Sequence, residues 1–158
     1  QTKLYADMGL QAVYMLLSIY GWYEWLHGGE DEGRLEASFA SPRILLVSGA
    51  VGAVGAVLLS VTLARTTDAA LPWVDSSLTS FSLVAQWLMT RKLVQNWLLW
   101  IAVDIVYIPM FAYKHLTLTS GLYVVFLVLA AQGYREWKRD VEKRTAAGTG
   151  DRVATAGA

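Results

Sequence analysis

The sequence predicts an all-α integral membrane protein with five transmembrane helices in this chain. Hydrophobic residues make up 55% of the 158 residues. Charged residues make up only 16%, whereas soluble domains contain ~25%. The charged residues are also unevenly placed, because Asp, Glu, Lys and Arg are missing from several long stretches. Uncharged apolar stretches of about 18 residues or more are typical of membrane-spanning helices. This composition excludes a soluble enzyme.

Five segments have the length of ~20 residues that crosses a hydrocarbon core of ~30 Å. They must be helical, because a backbone in lipid has to satisfy its own hydrogen bonds. The predicted spans are Leu4–Leu26, Arg43–Ala64, Leu71–Thr90, Leu93–Tyr113 and Leu116–Trp137.

The first two spans differ in character. The first places polar groups on one helix face, because they are spaced by three or four residues (Asp7, Gln11, Tyr14 and Ser18). The second has no charge after Arg43 and carries three glycines among Ala, Val and Leu. Such glycines favour close packing between membrane helices. We therefore expect the second span to be a packing helix that links two larger units.

The third and fourth spans also carry polar faces. Pro72 suits the first turn of the third helix, which then repeats the three-and-four spacing with Asp75, Thr79, Ser82 and Gln86. The fourth span has Trp97, Trp100, Asp104 and Tyr107 on one face, with Asn96 beside Trp97. An ionisable group in hydrocarbon costs several kcal/mol on most scales and by default indicates function.

Two interpretations of these polar faces are open. The groups either enclose a wet cavity at the centre of the bundle or form hydrogen bonds between helices. We favour interhelical bonds for Ser18, Thr79 and Ser82. For Asp104 with Trp97 and Trp100 we favour a ligand site.

The chemistry of the fourth span points to a planar ligand. Two tryptophans on adjacent turns can stack an aromatic ring, an interaction worth ~1–3 kcal/mol. A cationic ring would gain further from the ring quadrupole, and Asp104 would supply a countercharge or accept hydroxyl groups. The amides of Gln11, Gln86 and Asn96 suit ribose hydroxyls or a carboxamide.

The first and last spans resemble each other. A shift of 112 residues matches Gly21 with Gly133, Glu24 with Glu136 and Trp25 with Trp137, in the patterns GWYEW and GYREW. This parallel repeat predicts a transporter with three helices, one linker and three helices. We assign residues 1–26 to the last helix of the first bundle, whose other two helices are absent here. Residues 43–64 form the linker helix, 71–138 the second bundle and 139–158 a cytoplasmic, disordered tail.

The basic residues set the orientation. Three lie on one side of the predicted bilayer (Lys3, Arg65 and Lys114). Ten lie on the other side: Arg34, Arg43, Arg91, Lys92, Arg135, Lys138, Arg139, Lys143, Arg144 and Arg152. By the positive-inside rule the C-terminus is cytoplasmic.

No enzyme signature is present. The chain has no cysteine, only two histidines, and no HExxH, GxSxG or Walker A pattern. We therefore expect no enzyme, no metal site and no cofactor. The 13 acidic and 13 basic residues cancel, so we expect no nucleic-acid partner.

Several motifs resemble the PnuC family of bacterial nicotinamide riboside transporters. They are LYADMGLQ, YGWYEW, LPWVDSSLTS, QWLMTRKLVQNWLLW (residues 86–100) and GYREW. The resemblance implies a seven-helix fold related to the SWEET sugar transporters, in the bacterial inner membrane. It implies facilitated diffusion of an NAD precursor, trapping of the substrate by a cytoplasmic kinase, and a homotrimer.

The resemblance carries the family's central site onto Gln11, Asn96, Trp97 and Trp100. Gln86, Asp104 and Tyr107 extend that site from the helical faces described above. Alternatives remain open: a transporter of thiamine, or of riboflavin as the third choice; proton coupling through Asp104 or Asp7; and a membrane subunit that transports nothing.

Overall fold

The chain forms five α-helices in a computed structural model that describes residues 2–29, 35–66 and 72–156. The helices are α1 (Thr2–His27), α2 (Pro42–Thr66), α3 (Pro72–Thr90), α4 (Asn96–Tyr113) and α5 (Thr117–Ala156). The all-helical class is confirmed, with one helix for each predicted span. Leu71 and the side chain of Asp7 lie outside the described part.

Three of the helices are long and apolar enough to cross a membrane. Among the described residues these stretches are Pro42–Thr62, Asn96–Tyr113 and Thr117–Ala147. Helix α4 is among them although it carries a polar face that includes Asp104. Length and composition therefore mark α2, α4 and α5 as membrane helices.

Helices α1 and α3 pack side by side and run in the same direction. Gln86 of α3 donates a hydrogen bond of 3.5 Å to the Ser18 hydroxyl of α1. One to two turns further along both helices, the Trp25 indole N–H donates to the Met89 carbonyl at 3.1 Å. Helices α2 and α4 each return across the bundle, so α1, α3 and α5 all end on the same side.

Helix α2 packs mainly against α3. A Cβ atom at Gly52 would lie 2.6 Å from the Phe81 ring, and the Ser80 hydroxyl donates to the Gly52 carbonyl at 2.8 Å. Gly55 faces the Ser80 hydroxyl, while Gly49 has nothing within 4 Å. The packing role predicted for these glycines is therefore seen at two of the three positions.

The connection between α1 and α2 is fastened to the turn between α3 and α4. Residue 38 forms an isolated parallel bridge with Leu93, Val94 N–H donates to the Ser38 carbonyl at 2.9 Å, and the Ala40 N–H donates to the Gln95 side chain at 2.8 Å. These hydrogen bonds therefore hold the connection (residues 35–41) against the turn that joins α3 and α4.

The end of α5 corrects the sequence analysis. We expected a disordered tail over residues 139–158, but α5 continues to Ala156. Lys138 and Glu142 form an ion pair of 3.8 Å one turn apart. Arg144 pairs with Glu36 and donates to the Ala37 carbonyl at 2.7 Å. Alanines and helical ion pairs support the extension locally, and residues 36–37 hold it from outside.

Candidate ligand site

The site is built around the beginning of α4. A tight turn reverses the chain after α3, with Lys92 in the left-handed region at φ 53°. Asn96 then opens the helix, fully buried. Its side-chain N–H donates to the Leu93 carbonyl at 2.6 Å, and its side-chain oxygen is left for another partner.

Trp97 is held by α5. Its ring meets the edge of Trp137 with ring centres 5.2 Å apart and planes at 79°. A Cβ atom at Gly133 would lie within 2.7 Å of three atoms of the Trp97 ring. The absence of a side chain at Gly133 therefore gives Trp97 the space it occupies.

Three polar atoms of this first stretch of α4 are buried without a hydrogen-bond partner among the described residues. They are the side-chain oxygen of Asn96 and the indole nitrogens of Trp97 and Trp100. A buried polar group without a partner costs about 1–3 kcal/mol. One acceptor and two donors, beside two aromatic faces, can bind a planar ligand that carries hydroxyl or amide groups.

Asp104 lies one turn beyond Trp100 on the same helix. It is 3% exposed, and within the described residues no hydrogen bond or ion pair engages its carboxylate. Tyr123 of α5 lies close enough to interact with it electrostatically. A buried carboxylate is stabilised by a cation or a proton, so this position can accept a positively charged group.

Tyr107 belongs to an aromatic cluster at the other end of α4. Its ring stacks on Phe111 at 5.3 Å and meets Tyr123 at 4.8 Å. Its hydroxyl also interacts with Thr79 of α3. Sequence reasoning missed Tyr123. The 112-residue shift could have found it, because it places Tyr123 at the position of Gln11.

The structure brings five of the seven predicted residues together on α4: Asn96, Trp97, Trp100, Asp104 and Tyr107. The two glutamines lie elsewhere. Gln11 is exposed on α1, and the hydrogen bond of Gln86 goes to Ser18 of α1. Ser18 is thus part of an interhelical bond, as expected, and so is Ser82, which interacts with the Tyr14 hydroxyl. Among the described residues no acidic or histidine cluster could hold a metal ion.

The family model described as nicotinamide mononucleotide transporter matches residues 1–139. The chain belongs to this family. Among its relatives, the nicotinamide riboside transporters PnuC of Escherichia coli (strain K12) and Shigella flexneri are each 29% identical, over 91% of this chain and 71% of theirs. The riboflavin/roseoflavin transporter RibM of Streptomyces davaonensis is 30% identical, over 85% of this chain and 64% of its own length.

A crystal structure of the vitamin B3 transporter PnuC has the same fold as this chain. The TM-score is 0.67 and the sequence identity 29%, over 89% of this chain. This chain spans 65% of the length of that solved chain. Members of the family are membrane transporters of vitamins, not enzymes. The PnuC identification made from the motifs is confirmed, and the chain is a multi-pass inner-membrane protein.

Proposed function

We propose that this chain forms part of a transporter that takes up nicotinamide riboside by facilitated diffusion with alternating access. One observation carries the proposal: the buried, unpartnered polar atoms of Asn96, Trp97 and Trp100. A ligand with hydroxyl and carboxamide groups would satisfy all three atoms. The nicotinamide riboside named for two relatives has these groups on a planar cationic ring and a sugar.

The electrostatics of α4 favour the same class of ligand. The pyridinium ring would stack on the indole of Trp97 or Trp100 and carry its charge toward the buried carboxylate of Asp104. A cation on an aromatic face gains about 0.5–2 kcal/mol, more where water is excluded. Tyr107 would close the site at its other end. Gln11 and Gln86 would have to turn from their present positions on α1 and α3 to reach the sugar.

The architecture we propose is two three-helix bundles joined by a linker. All five helices would span the bilayer, with α1 closing the first bundle (residues 1–26), α2 as the linker (43–64) and α3–α5 as the second bundle (71–138). The common direction of α1, α3 and α5 supports a parallel repeat. The excess of ten basic residues over three supports a cytoplasmic C-terminus. A homotrimer is implied by the PnuC resemblance, and the mass of the detergent-solubilised protein tests it.

Calorimetry on the full-length purified protein tests the substrate. Nicotinamide riboside, thiamine and riboflavin are titrated in parallel into the parent and into Trp97→Ala, Trp100→Ala and Asn96→Ala. Trp87→Ala is the matched control, because Trp87 is 41% exposed on α3 and faces the groove with α2. We expect riboside binding in the parent and control, with a loss of about tenfold or more in each α4 variant. If no vitamin binds, the α4 site is not a ligand site.

Riboflavin is the second candidate, because RibM is as similar to this chain as PnuC is. Riboflavin is neutral and does not need the charge of Asp104. Asp104→Asn therefore separates the two: it should weaken binding of the cationic riboside or thiamine and leave riboflavin binding unchanged. Proton coupling is tested by uptake into proteoliposomes that contain no kinase. If the parent is proton-coupled through Asp104, an uncoupler will collapse its uptake, and Asp104→Asn will have lost this sensitivity.

A further inference from the structure

A second space lies beyond the ligand site, where α1, the connection at residues 35–41 and the extension of α5 meet. It has a volume of about 680 Å³. Its lining includes three tryptophans, Trp22, Trp25 and Trp137, and charged residues such as Glu36 and Arg144. The α4 residues of the ligand site do not line it.

Trp137 stands between this cavity and the ligand site. On one side its ring contacts Trp97, with centres 5.2 Å apart. On the other it contacts Trp25, with centres 5.8 Å apart and planes at 66°. Trp25 and Trp137 both line the cavity, and Trp97 does not. The path from Trp97 to the cavity therefore leads past the Trp137 ring.

The other ring of the pair, that of Trp25, is held by α3 and by the turn that follows it. The Trp25 indole donates to the Met89 carbonyl at 3.1 Å, and the Lys92 ammonium lies 5.1 Å from the centre of its ring. Trp25 has little freedom to turn away, whereas the indole N–H of Trp137 has no such anchor among the described bonds. Trp137 is the ring that can move.

We propose that Trp25 and Trp137 form a partition between the ligand site and the cavity. The cavity is then the vestibule through which the ligand passes on the side where α1 and α3 end. The class of ligand rests on the proposed function: a planar aromatic molecule, which finds stacking faces on both sides of the partition. The pair consists of residues that the 112-residue shift matches, so each bundle contributes the same residue to one barrier.

Cysteine accessibility tests the partition, since the chain has no native cysteine. Ala37→Cys reports on the cavity, which Ala37 lines. Ala130→Cys reports on the far side, because Ala130 is 3% exposed and shares its helix face with Gly133 and Trp137. Both are labelled in inside-out vesicles of the full-length protein with a membrane-impermeant maleimide, and right-side-out vesicles give the sidedness.

We expect Ala37→Cys to react quickly and Ala130→Cys slowly. Adding Trp137→Ala should speed labelling of Ala130→Cys by about two- to tenfold, the factor that one aromatic contact is worth. Trp137→Phe keeps a ring and should keep labelling slow. Trp22→Ala is the matched control, because it removes a cavity ring that makes no ring contact with Trp137 among the described residues.

Equal labelling of Ala130→Cys with and without the Trp137 ring would overturn the partition. Equally fast labelling of both reporters in the parent would do the same. If Trp137→Ala is not recovered from membranes, Trp25→Ala opens the same barrier from the other ring and carries the same expectation. Labelling is measured without ligand, so a failure of the proposed substrate leaves this result standing. A ligand arm is separate: protection of Ala130→Cys by nicotinamide riboside tests the substrate and not the barrier.

Discussion

Helices α1 and α5 carry the same motif but use its glycine differently. Gly21 of α1 faces α3, where an added Cβ would lie 3.0 Å from the Thr90 methyl. Gly133 of α5 faces α4, where the Cβ would lie 2.6 Å from the nearest atom of the Trp97 ring. The first glycine allows two helices to pack closely. The second shapes the space of a residue in the candidate ligand site, so the repeat preserves a close approach while its function differs.

The glutamates of the two copies differ in the same way. Glu24 accepts from Arg91 at 2.8 Å and from the Tyr20 hydroxyl at 2.9 Å. Glu136 is exposed, and no ion pair engages it among the described residues. The α1 copy is therefore tied to α3, whereas the α5 copy continues into its helical extension. A motif repeated in sequence does not imply a repeated set of bonds.

Gly133→Ala should give the largest effect. The new methyl group would overlap the Trp97 ring, which would have to shift from its position and from its contact with Trp137. We expect riboside binding to weaken by about tenfold or more, as for overpacking of a tight core site. Calorimetry measures it, with Gly133→Ser as a second overpacked variant. Unchanged binding would mean that the orientation of Trp97 is not needed by the ligand.

Gly21→Ala should have a smaller effect. The closest contact, at 3.0 Å, is with the Thr90 methyl group and is longer than the 2.6 Å at Gly133. Alanine is also favoured over glycine in a helix by about 1 kcal/mol, which offsets part of the overlap. We expect a change in the free energy of unfolding within about 1 kcal/mol and riboside binding within about twofold of the parent. Thermal unfolding in detergent and calorimetry provide the two measurements. Loss of binding here would mean that both glycines serve the ligand.

Glu24→Gln and Glu136→Gln should give the smallest effects on the free energy of unfolding. The two variants should still differ, because of these two glutamates only Glu24 forms an ion pair among the described residues. The Arg91 side chain is 50% exposed and that of Glu24 is 19% exposed, so water screens the pair and its loss costs about 0.2–1 kcal/mol. Glu136→Gln should cost nothing measurable. Unfolding at low and high salt checks this, because only the Glu24 variant should lose part of its salt dependence. Equal effects of the two substitutions would contradict the difference described above.

The sequence predicts the five helices because the bilayer fixes how long an apolar helix must be. It misses the continuation of α5 to Ala156 because part of what holds it is remote: Arg144 reaches Glu36, over a hundred residues earlier in the chain. The local composition does not predict this helix, because Gly and Thr disfavour a helix relative to Ala.

The α4 part of the site could be predicted because its residues lie close together in the sequence. Spacing alone places Asn96, Trp97, Trp100 and Asp104 within reach of one another on a single helix. The contributions of Trp137 and Tyr123 could not be read from that spacing, because they depend on how α5 packs against α4. The repeat pointed to Trp137 as a matched residue, but not to the ring it would contact.

The length of α5 sets a distance. Its 40 residues rise about 1.5 Å each, which makes the helix about 60 Å long. A hydrocarbon core of ~30 Å holds only about half of that length. The rest extends beyond the hydrocarbon core, where Arg144 pairs with Glu36. A fluorophore at Ala156 would therefore lie well above the lipid headgroups, whereas one at Lys138 would lie near them. Labels at these two positions would measure how far α5 extends above the membrane.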